Sequence, residues 1–509
     1  MLTAVSSNPV GSGKTHPLSV LDHAMGLHTV HVVFYYRKNP FGIFDVDPLR
    51  IALSEVLCLY PQATGRLTRG ESGNWLVKCN DAGVRVLRAK VEATMDEWLR
   101  SADGSEEKDL TFWEEIPEEP STWSPFRIQV FFFFFFPVIF LLAEVFAWVA
   151  PFPCYDLVAG RTVSLLALVA CGQLVYMHGG NPFFSKSKPA TSAKLVNSYN
   201  VNEFEGGGVA FGLSCTHMNA DPTSITILFK SWIESHRQEP IEHPPLFKST
   251  TLHHQQVPNT STKPDNYYAT KGNAETPSVK MVTATFKFSD SAIKKWLDEV
   301  RDQCAKATPF DLLAALFWTR VAHLKAPKND NKHSLSICLD FRRLVQPPIP
   351  LGYFGNALHF SLLTLDEEEM DYGKLGHVVE LVHRHVSDVG EEEVWSVVDW
   401  FESQKEEGGK YAQPFTMYGP ELTCVSMEHM ILGHKSLMFS ASFKSDEKPV
   451  HVACHVGNVR GEGLIVVLPS VEEGLARTVM VTLPEEEMPK LCEDQAIQCL
   501  QPTLLIGGR

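Results

Sequence analysis

No Cys-x-x-Cys pair and no His/Cys group at zinc-ligand spacing occurs in this chain of 509 residues, so the sequence offers no zinc site. Its 11 cysteines are odd in number and scattered. That pattern fits reduced thiols in a cytosolic setting. Positive charge is also scarce. Lys and Arg total 45 against 60 Asp and Glu, for a net charge of −15, which argues against nucleic acid and against a polybasic membrane contact. The acidic runs Asp366–Glu369, Glu391–Glu393 and Glu485–Glu487 read as solvated helix faces. The polar start lacks the apolar core of a signal peptide. Gly11-Ser12-Gly13-Lys14-Thr15 imitates the end of a phosphate-binding loop. The position that needs the leading glycine is Asn8, and no strand is expected ahead of it, so nucleotide binding is set aside.

What is present belongs to a globular protein of two or three domains: 44% hydrophobic and 21% charged residues. A helix is expected over Asp47–Leu59, with Asp47 as cap and Pro48 at its first position. Strand alternation runs through Val77–Val91 with breaks at Asn80-Asp81 and Gly83. After a strand at Met281–Phe288 come helices at Ser289–Cys304 and Pro309–Leu324, the second capped near Thr308 or Asp311. Leu335–Asp340 and Leu464–Leu468 read as strands. Strands and helices alternating in two lobes indicate an α/β protein. The expected organisation is a disordered start over 1–15, an N-terminal lobe over 16–235, a crossover over 236–280 rich in Pro, His, Thr and Lys, and a C-terminal lobe over 281–509.

The chemistry concentrates at Gly206–Asp221. Glycines and apolar residues lead into His217, and Asp221 follows four residues later, ahead of an apolar run from Ser224 to Trp232. Histidine titrates nearest neutral pH and suits proton abstraction from an alcohol or amine. A carboxylate four residues on can brace the local backbone. Read by spacing alone, the same pair also fits a surface histidine in a loop. Its place at the end of a strand-like run favours a site. Cys215, two residues earlier, reads as packing.

One stretch does not fit. Phe131–Phe136 are six consecutive phenylalanines, apolar residues continue to Tyr155, and a second apolar run spans Thr162–Met177. By length and hydropathy either run resembles a membrane span. Pro137, Pro151 and Pro153 oppose a straight helix.

Several ordered segments resemble the plant BAHD acyltransferases. These are Leu18-Ser19-x-Leu21-Asp22, Leu59-Tyr60-Pro61 with Gly65-Arg66-Leu67, the His217–Asp221 pair, Thr308–Trp318, and Asp340-Phe341-Arg342 followed by Pro347–Pro350 and Gly352-Tyr353-Phe354-Gly355-Asn356. The resemblance runs from about residue 16 to 495. The family's Asp-Phe-Gly-Trp-Gly loop is missing: Phe443-Lys444-Ser445-Asp446-Glu447 stands before Lys448-Pro449. The Eceriferum proteins of wax biosynthesis also lack that loop. They resemble this chain at Lys78–Val86, Met417–Thr423 and Leu483–Glu486.

The resemblance implies a two-lobed chloramphenicol-acetyltransferase-like fold, each lobe a mixed β-sheet flanked by helices, with a channel between the lobes. It places His217 in that channel as general base, reachable from both faces. It pairs Asp221 with Arg342 as structural support. It implies acyl-CoA as co-substrate, a small-molecule acceptor, no bound cofactor or metal, and a monomer. The CoA-contacting residues stay unassigned, and Asn219 or nearby backbone N–H groups are candidates for the oxyanion. Trp318 reads as a core anchor and Gly352–Asn356 as a turn. Two activities follow. One is a cytoplasmic acyltransferase acting on a hydroxyl or amine. The other is a non-catalytic helper of very-long-chain fatty-acid elongation, whose partner is a condensing enzyme at the endoplasmic reticulum. A third, membrane-embedded reading rests only on 131–177. In the family, Gln-Val is followed by two residues, a Phe and Gly-Gly. Here Gln129-Val130 and Asn202-Glu203-Phe204-Glu205-Gly206-Gly207 supply the two ends. Residues 131–201 are therefore read as a gene-model error such as a translated intron.

Overall fold

A computed structural model describes residues 2–11, 13–38, 47–117, 119–133, 208–248, 263–272, 279–325, 331–370, 373–443 and 446–507. Among them two large sheets carry the architecture. The first has the order β1 (Leu2–Ala4), β6 (Val84–Val91), β7 (Phe126–Phe133), β8 (Val209–Thr216), β3 (Thr29–Tyr36), β15 (His451–Gly457). The second has the order β11 (Leu358–Asp366), β10 (Lys332–Asp340), β12 (Leu422–Ser426), β16 (Leu464–Pro469), β17 (Arg477–Pro484), β9 (Met281–Phe288), β18 (Thr503–Ile506). Both sheets are mixed. β6 pairs with β7 in parallel, and so does β10 with β12. A three-stranded sheet of β2 (Lys14–Pro17), β5 (Trp75–Cys79) and β4 (Arg66–Arg69), and the hairpin β13 (Ile431–Leu432) and β14 (Lys435–Ser436), are smaller additions.

Three boundaries differ from expectation. Within the start expected to be disordered, Leu2–Ala4 hydrogen-bonds to β6 as an edge strand. Three residues are too few for alternation to announce a strand. A strand thus does precede Gly11–Thr15, but Lys14 opens β2 and not a helix, so the phosphate-loop imitation still lacks its anion-binding helix end. The crossover 236–280 contains a helix, Lys263–Gly272. The C-terminal lobe is not self-contained. β15 leaves it and completes the first sheet, pairing from His451↔Tyr35 to Gly457↔Thr29. One apolar core accordingly joins Phe34, Phe211 and Phe229 of the first lobe with Phe360, Tyr418 and Val452 of the second. A separate core surrounds the helix Pro309–Leu324, where Trp318 is buried. That helix begins in a reciprocal box: Asp311 N–H donates to Thr308 Oγ1 (3.2 Å), and Thr308 N–H to the Asp311 carboxylate (2.8 Å).

The sequence around the His217–Asp221 pair folds locally as its residues dictate. β8 lies between β7 and β3 and is buried at every position, as its mainly apolar sequence, Val209–Leu213 above all, favours. Gly212 sits where a Cβ would meet the Leu110 carbonyl oxygen at 2.0 Å, so only glycine allows that approach. The helix Pro222–Arg237 then starts on an aspartate cap with proline at its first position and ends at Gln238 in a left-handed conformation. Trp232 ties it to the helix Asp47–Leu57 through an indole N–H bond to the Leu49 carbonyl (2.9 Å).

Among the described residues, no helix is long and apolar enough to cross a membrane. Phe131–Phe133 continue β7, with Phe131 and Phe132 opposite Ala210 and Val209 of β8 and Phe133 opposite Val91 of β6. The rest of the anomalous insertion, and the membrane reading built on it, lie outside the described residues.

Candidate active site

His217 is the first residue after β8, and Asp221 caps the helix that follows. The backbone of His217 is held at both ends. Its N–H donates to the His28 carbonyl (3.0 Å), and its carbonyl accepts from the Asn356 side-chain amide (2.8 Å). That amide also donates to Asp22 Oδ1 (2.8 Å), as does the Asn356 backbone N–H (3.0 Å). Asp22 in turn closes a capping box with Ser19. The segments Leu18–Asp22, His217–Asp221 and Gly352–Asn356 are far apart in sequence and meet in one buried hydrogen-bonded chain. Burial pushes the Asp22 carboxyl up, against the bonds it accepts from Ser19 and Asn356.

Asp221 and Arg342 are brought together. Asp221 Oδ1 accepts from the Ser224 N–H (2.8 Å). Its Oδ2 accepts from Arg342 Nη1 (2.8 Å) and from the Ala357 N–H (3.1 Å). Arg342 also pairs with Asp340 and donates to the Tyr353 carbonyl (3.1 Å). Both Asp221 and Arg342 are fully buried. Burial disfavours the guanidinium charge, but the carboxylates of Asp221 and Asp340 outweigh it and hold the pKa above its ordinary value. The Asp221 carboxylate spends its oxygens on a helix cap and an arginine. It braces the loop and does not touch the imidazole.

The His217 ring corrects the expectation of a base open to a channel from both faces. It is 0% exposed. Tyr418 lies across it. Tyr418 Oη stands 2.9 Å from Nε2, and the two rings stack with centroids 5.7 Å apart. Tyr418 is buried too, with its ring edge-on to His28 (5.0 Å) and Phe360 (5.4 Å). Burial drives the His217 pKa down to about 4, despite the opposing charge of Asp221. Burial also holds the Tyr418 phenol well above its ordinary value. The imidazole is therefore neutral and the phenol protonated. Oη has no other hydrogen-bond partner among the described residues; with Tyr418 donating to the Nε2 lone pair, the phenol proton is satisfied and the ring proton falls on Nδ1, which is buried without a partner. His28 completes the arrangement. Its Nε2 accepts from the Met417 N–H (3.1 Å) while Nδ1 lies 3.2 Å from the Gly457 carbonyl. Its pKa falls to about 3, first by burial and then by the nearby His217.

Of the other sequence candidates, Cys215 is fully buried, and its thiol is pushed well above its usual range by burial and then by Asp221. It is no nucleophile. Asn219 Oδ1 accepts from Thr216 Oγ1 (2.6 Å), while Nδ2 is buried without a partner. Phe443, at the head of the divergent 443–447 stretch, packs between the lobes. Its ring stacks on Phe211 (5.6 Å) and meets Tyr36 edge-on (5.0 Å). A cleft of about 210 Å³ lined by Lys435, Lys448, Glu472 and Arg477 lies elsewhere and does not include His217. Among the described residues, no group of His, Cys, Asp and Glu could hold a metal ion. Sequence reasoning missed Tyr418, His28 and Lys271 as parts of the site. Tyr418 lay inside a segment noted for its resemblance, but nothing local marks its contact with a residue 201 positions away.

A family model described as Transferase family matches residues 3–134 and 185–497. The break over 135–184 falls inside the anomalous insertion. The Arabidopsis thaliana protein ECERIFERUM 26-like is 22% identical over 498 residues, covering 96% of this chain and 92% of that protein. A hydroxycinnamoyltransferase of Narcissus pseudonarcissus is 23% identical over 475 residues, covering 91% and 90%. Among solved structures, vinorine synthase superposes with a TM-score of 0.63 at 16% identity over 100% of this chain and 98% of that one. F. graminearum TRI101 complexed with coenzyme A and deoxynivalenol gives 0.63 at 12% identity, covering 97% and 100%. The fold is thus the two-lobed, chloramphenicol-acetyltransferase-like fold. With most of its length inside the family model and Eceriferum proteins among its relatives, the chain belongs to the Transferase family, the BAHD acyltransferases.

Proposed function

We propose that this protein transfers an acyl group from acyl-CoA to a hydroxyl or amine acceptor, with His217 as general base. The observation that carries the reading is the His217–Tyr418 bond. A neutral imidazole is anchored through its backbone and already accepts a hydrogen bond from a hydroxyl at 2.9 Å. An acceptor hydroxyl in that place gives its proton to Nε2 while its oxygen attacks the thioester carbonyl. The tetrahedral oxyanion then collapses. The carbon–sulfur bond breaks, and the CoA thiolate leaves with the proton returned by His217. The buried Asn219 amide, with no other partner for Nδ2, is a donor available to the oxyanion. No acyl-enzyme forms, in keeping with the protonated Cys215. Named acyltransferases among the relatives and coenzyme A in the TRI101 structures support this class of reaction. The test is His217→Ala assayed with a panel of acyl-CoA donors and alcohol or amine acceptors. Turnover is expected to fall by about 10²–10⁴-fold, with the unfolding midpoint retained. Undiminished turnover sinks the reading.

A second reading is favoured by the sealed ring and the absent Asp-Phe-Gly-Trp-Gly loop. In it the protein acts without chemistry, as an Eceriferum-like partner of a fatty-acid elongase condensing enzyme at the endoplasmic reticulum. Co-expression with such an enzyme is then expected to lengthen its acyl products, and His217→Ala to leave that effect intact. An unchanged chain-length profile removes this reading.

A further inference from the structure

Resting on the general-base reading, we propose that Tyr418 occludes the site: its phenol holds the acceptor's place at His217, and a Lys271 latch keeps it there. The Nε2 lone pair accepts one strong hydrogen bond, and Tyr418 Oη makes it. An acceptor reaches the base only by displacing that hydroxyl and moving the ring, which is buried against His28 and Phe360.

The backbone on either side of Tyr418 is fixed by one cation. Lys271, on the helix Lys263–Gly272, is 0% exposed and donates through Nζ to the Met417 carbonyl (2.9 Å), the Gly419 carbonyl (2.9 Å) and the Glu421 carboxylate (2.6 Å). These three acceptors use all three ammonium protons. Glu421 is itself held by the Tyr267 hydroxyl (2.9 Å). Gly419 has φ +124, and a Cβ there would meet the Arg460 carbonyl at 2.7 Å. The chain therefore turns sharply beside Tyr418 and returns to the latch. A buried ammonium without its carboxylate is costly, so Lys271, Glu421 and the Tyr418 segment move together or not at all. The helix sits in the crossover, where sequence patterning marked only a linker.

The test reads access to His217 without acyl transfer. The full-length protein is treated with diethyl pyrocarbonate, and labelling is followed at each histidine by peptide mass spectrometry. Exposed His434 serves as the internal control. Wild-type His217 is expected to label about 100-fold more slowly than His434, because it reacts only from an opened state. Tyr418→Ala and Lys271→Met are expected to raise the His217 rate about tenfold or more without changing His434. Tyr418→Phe, which keeps the ring and removes one hydrogen bond, is expected to raise it about fivefold. Wild-type His217 labelling as fast as His434 overturns the proposal even if a variant fails to fold. So do unchanged His217 rates in folded variants. Faster labelling without acyl transfer in any assay leaves the latch standing and removes the base.

Discussion

Arg342 Nη1 lies 2.8 Å from Asp221 Oδ2 with both side chains fully buried, and the same carboxylate group caps the helix Pro222–Arg237. One residue thus fixes the direction of a helix and neutralises an interior cation from the other lobe. Removing the arginine strands a buried carboxylate. Arg342→Met is expected to cost about 3–5 kcal/mol in urea unfolding. Asp221→Asn keeps a helix-capping oxygen and loses only the charge, so it is expected to cost less than Arg342→Met. Equal losses would show that the Asp221–Arg342 ion pair, which both variants break, and not the cap, which both keep, carries the effect.

Local signals in the sequence reached this far and no further. Asp221, Pro222 and the apolar run behind them announce a capped helix. Thr308 and Asp311 announce another, because both partners of each cap lie within three residues. The apolar stretch ahead of His217 announces a buried strand. The seal on His217 has no such signal. Tyr418, His28 and Lys271 reach the site through tertiary packing across the whole chain, and β15 enters the first sheet from near the C-terminal end. Periodicity registers which face of an element is apolar, not which distant element covers it.

The pH dependence of acyl transfer follows from the same burial. The base acts when unprotonated. With the His217 pKa lowered to about 4, that form persists well below neutrality. The rate is expected to stay level from about pH 8 to about pH 5 and fall below that. In Tyr418→Ala, water reaches the ring and the acid limb is expected to move up toward about 6.5. An acid limb at or above that value in the wild type counts against a buried base.

Stability is expected to depend on pH with a definite sign. His217 and His28 have folded pKa values of about 4 and about 3, both below the unfolded value. Between the two values the unfolded chain binds protons that the folded chain excludes. Folding is therefore unaffected above about pH 6.5 and loses stability as pH falls below it, by up to about 1.4 kcal/mol per pH unit for each histidine. Urea unfolding of wild type and His217→Gln at about pH 7, 6 and 5 isolates one of the two contributions. The variant is expected to show the shallower decline. Parallel curves would mean that His217 titrates normally in the folded protein.

Phe443, at the head of the stretch where the family loop is absent, packs on the first sheet. Its ring contacts Phe211 and Tyr36, while Arg237 donates to the Ser442 carbonyl (2.9 Å) beside it. Phe443→Ala is expected to lower stability by about 3–5 kcal/mol. A loss below about 1 kcal/mol would mean that the lobes do not depend on this contact.

The anomalous insertion has its own test. β7 pairs with β8 through Phe131↔Ala210 and Phe132↔Val209, so the strand still needs residues at these positions. Excising 131–201 supplies Asn202, Glu203 and Phe204 in place of Phe131–Phe133, whereas excising 135–184 keeps the phenylalanines and removes only what the family model skips. If the insertion is a gene-model error, the 131–201 deletion is expected to purify as a folded protein with a Tm no lower than that of the full chain, and the shorter deletion, which keeps Phe131–Phe134 and the polar stretch 185–201, to have a lower Tm than the 131–201 deletion. Transcript sequencing is expected to show a dominant message joining Val130 to Asn202. A translated message containing the segment, with a 131–201 deletion that does not fold, would make the insertion part of the protein and leave the phenylalanine strand as its anchor to the first sheet.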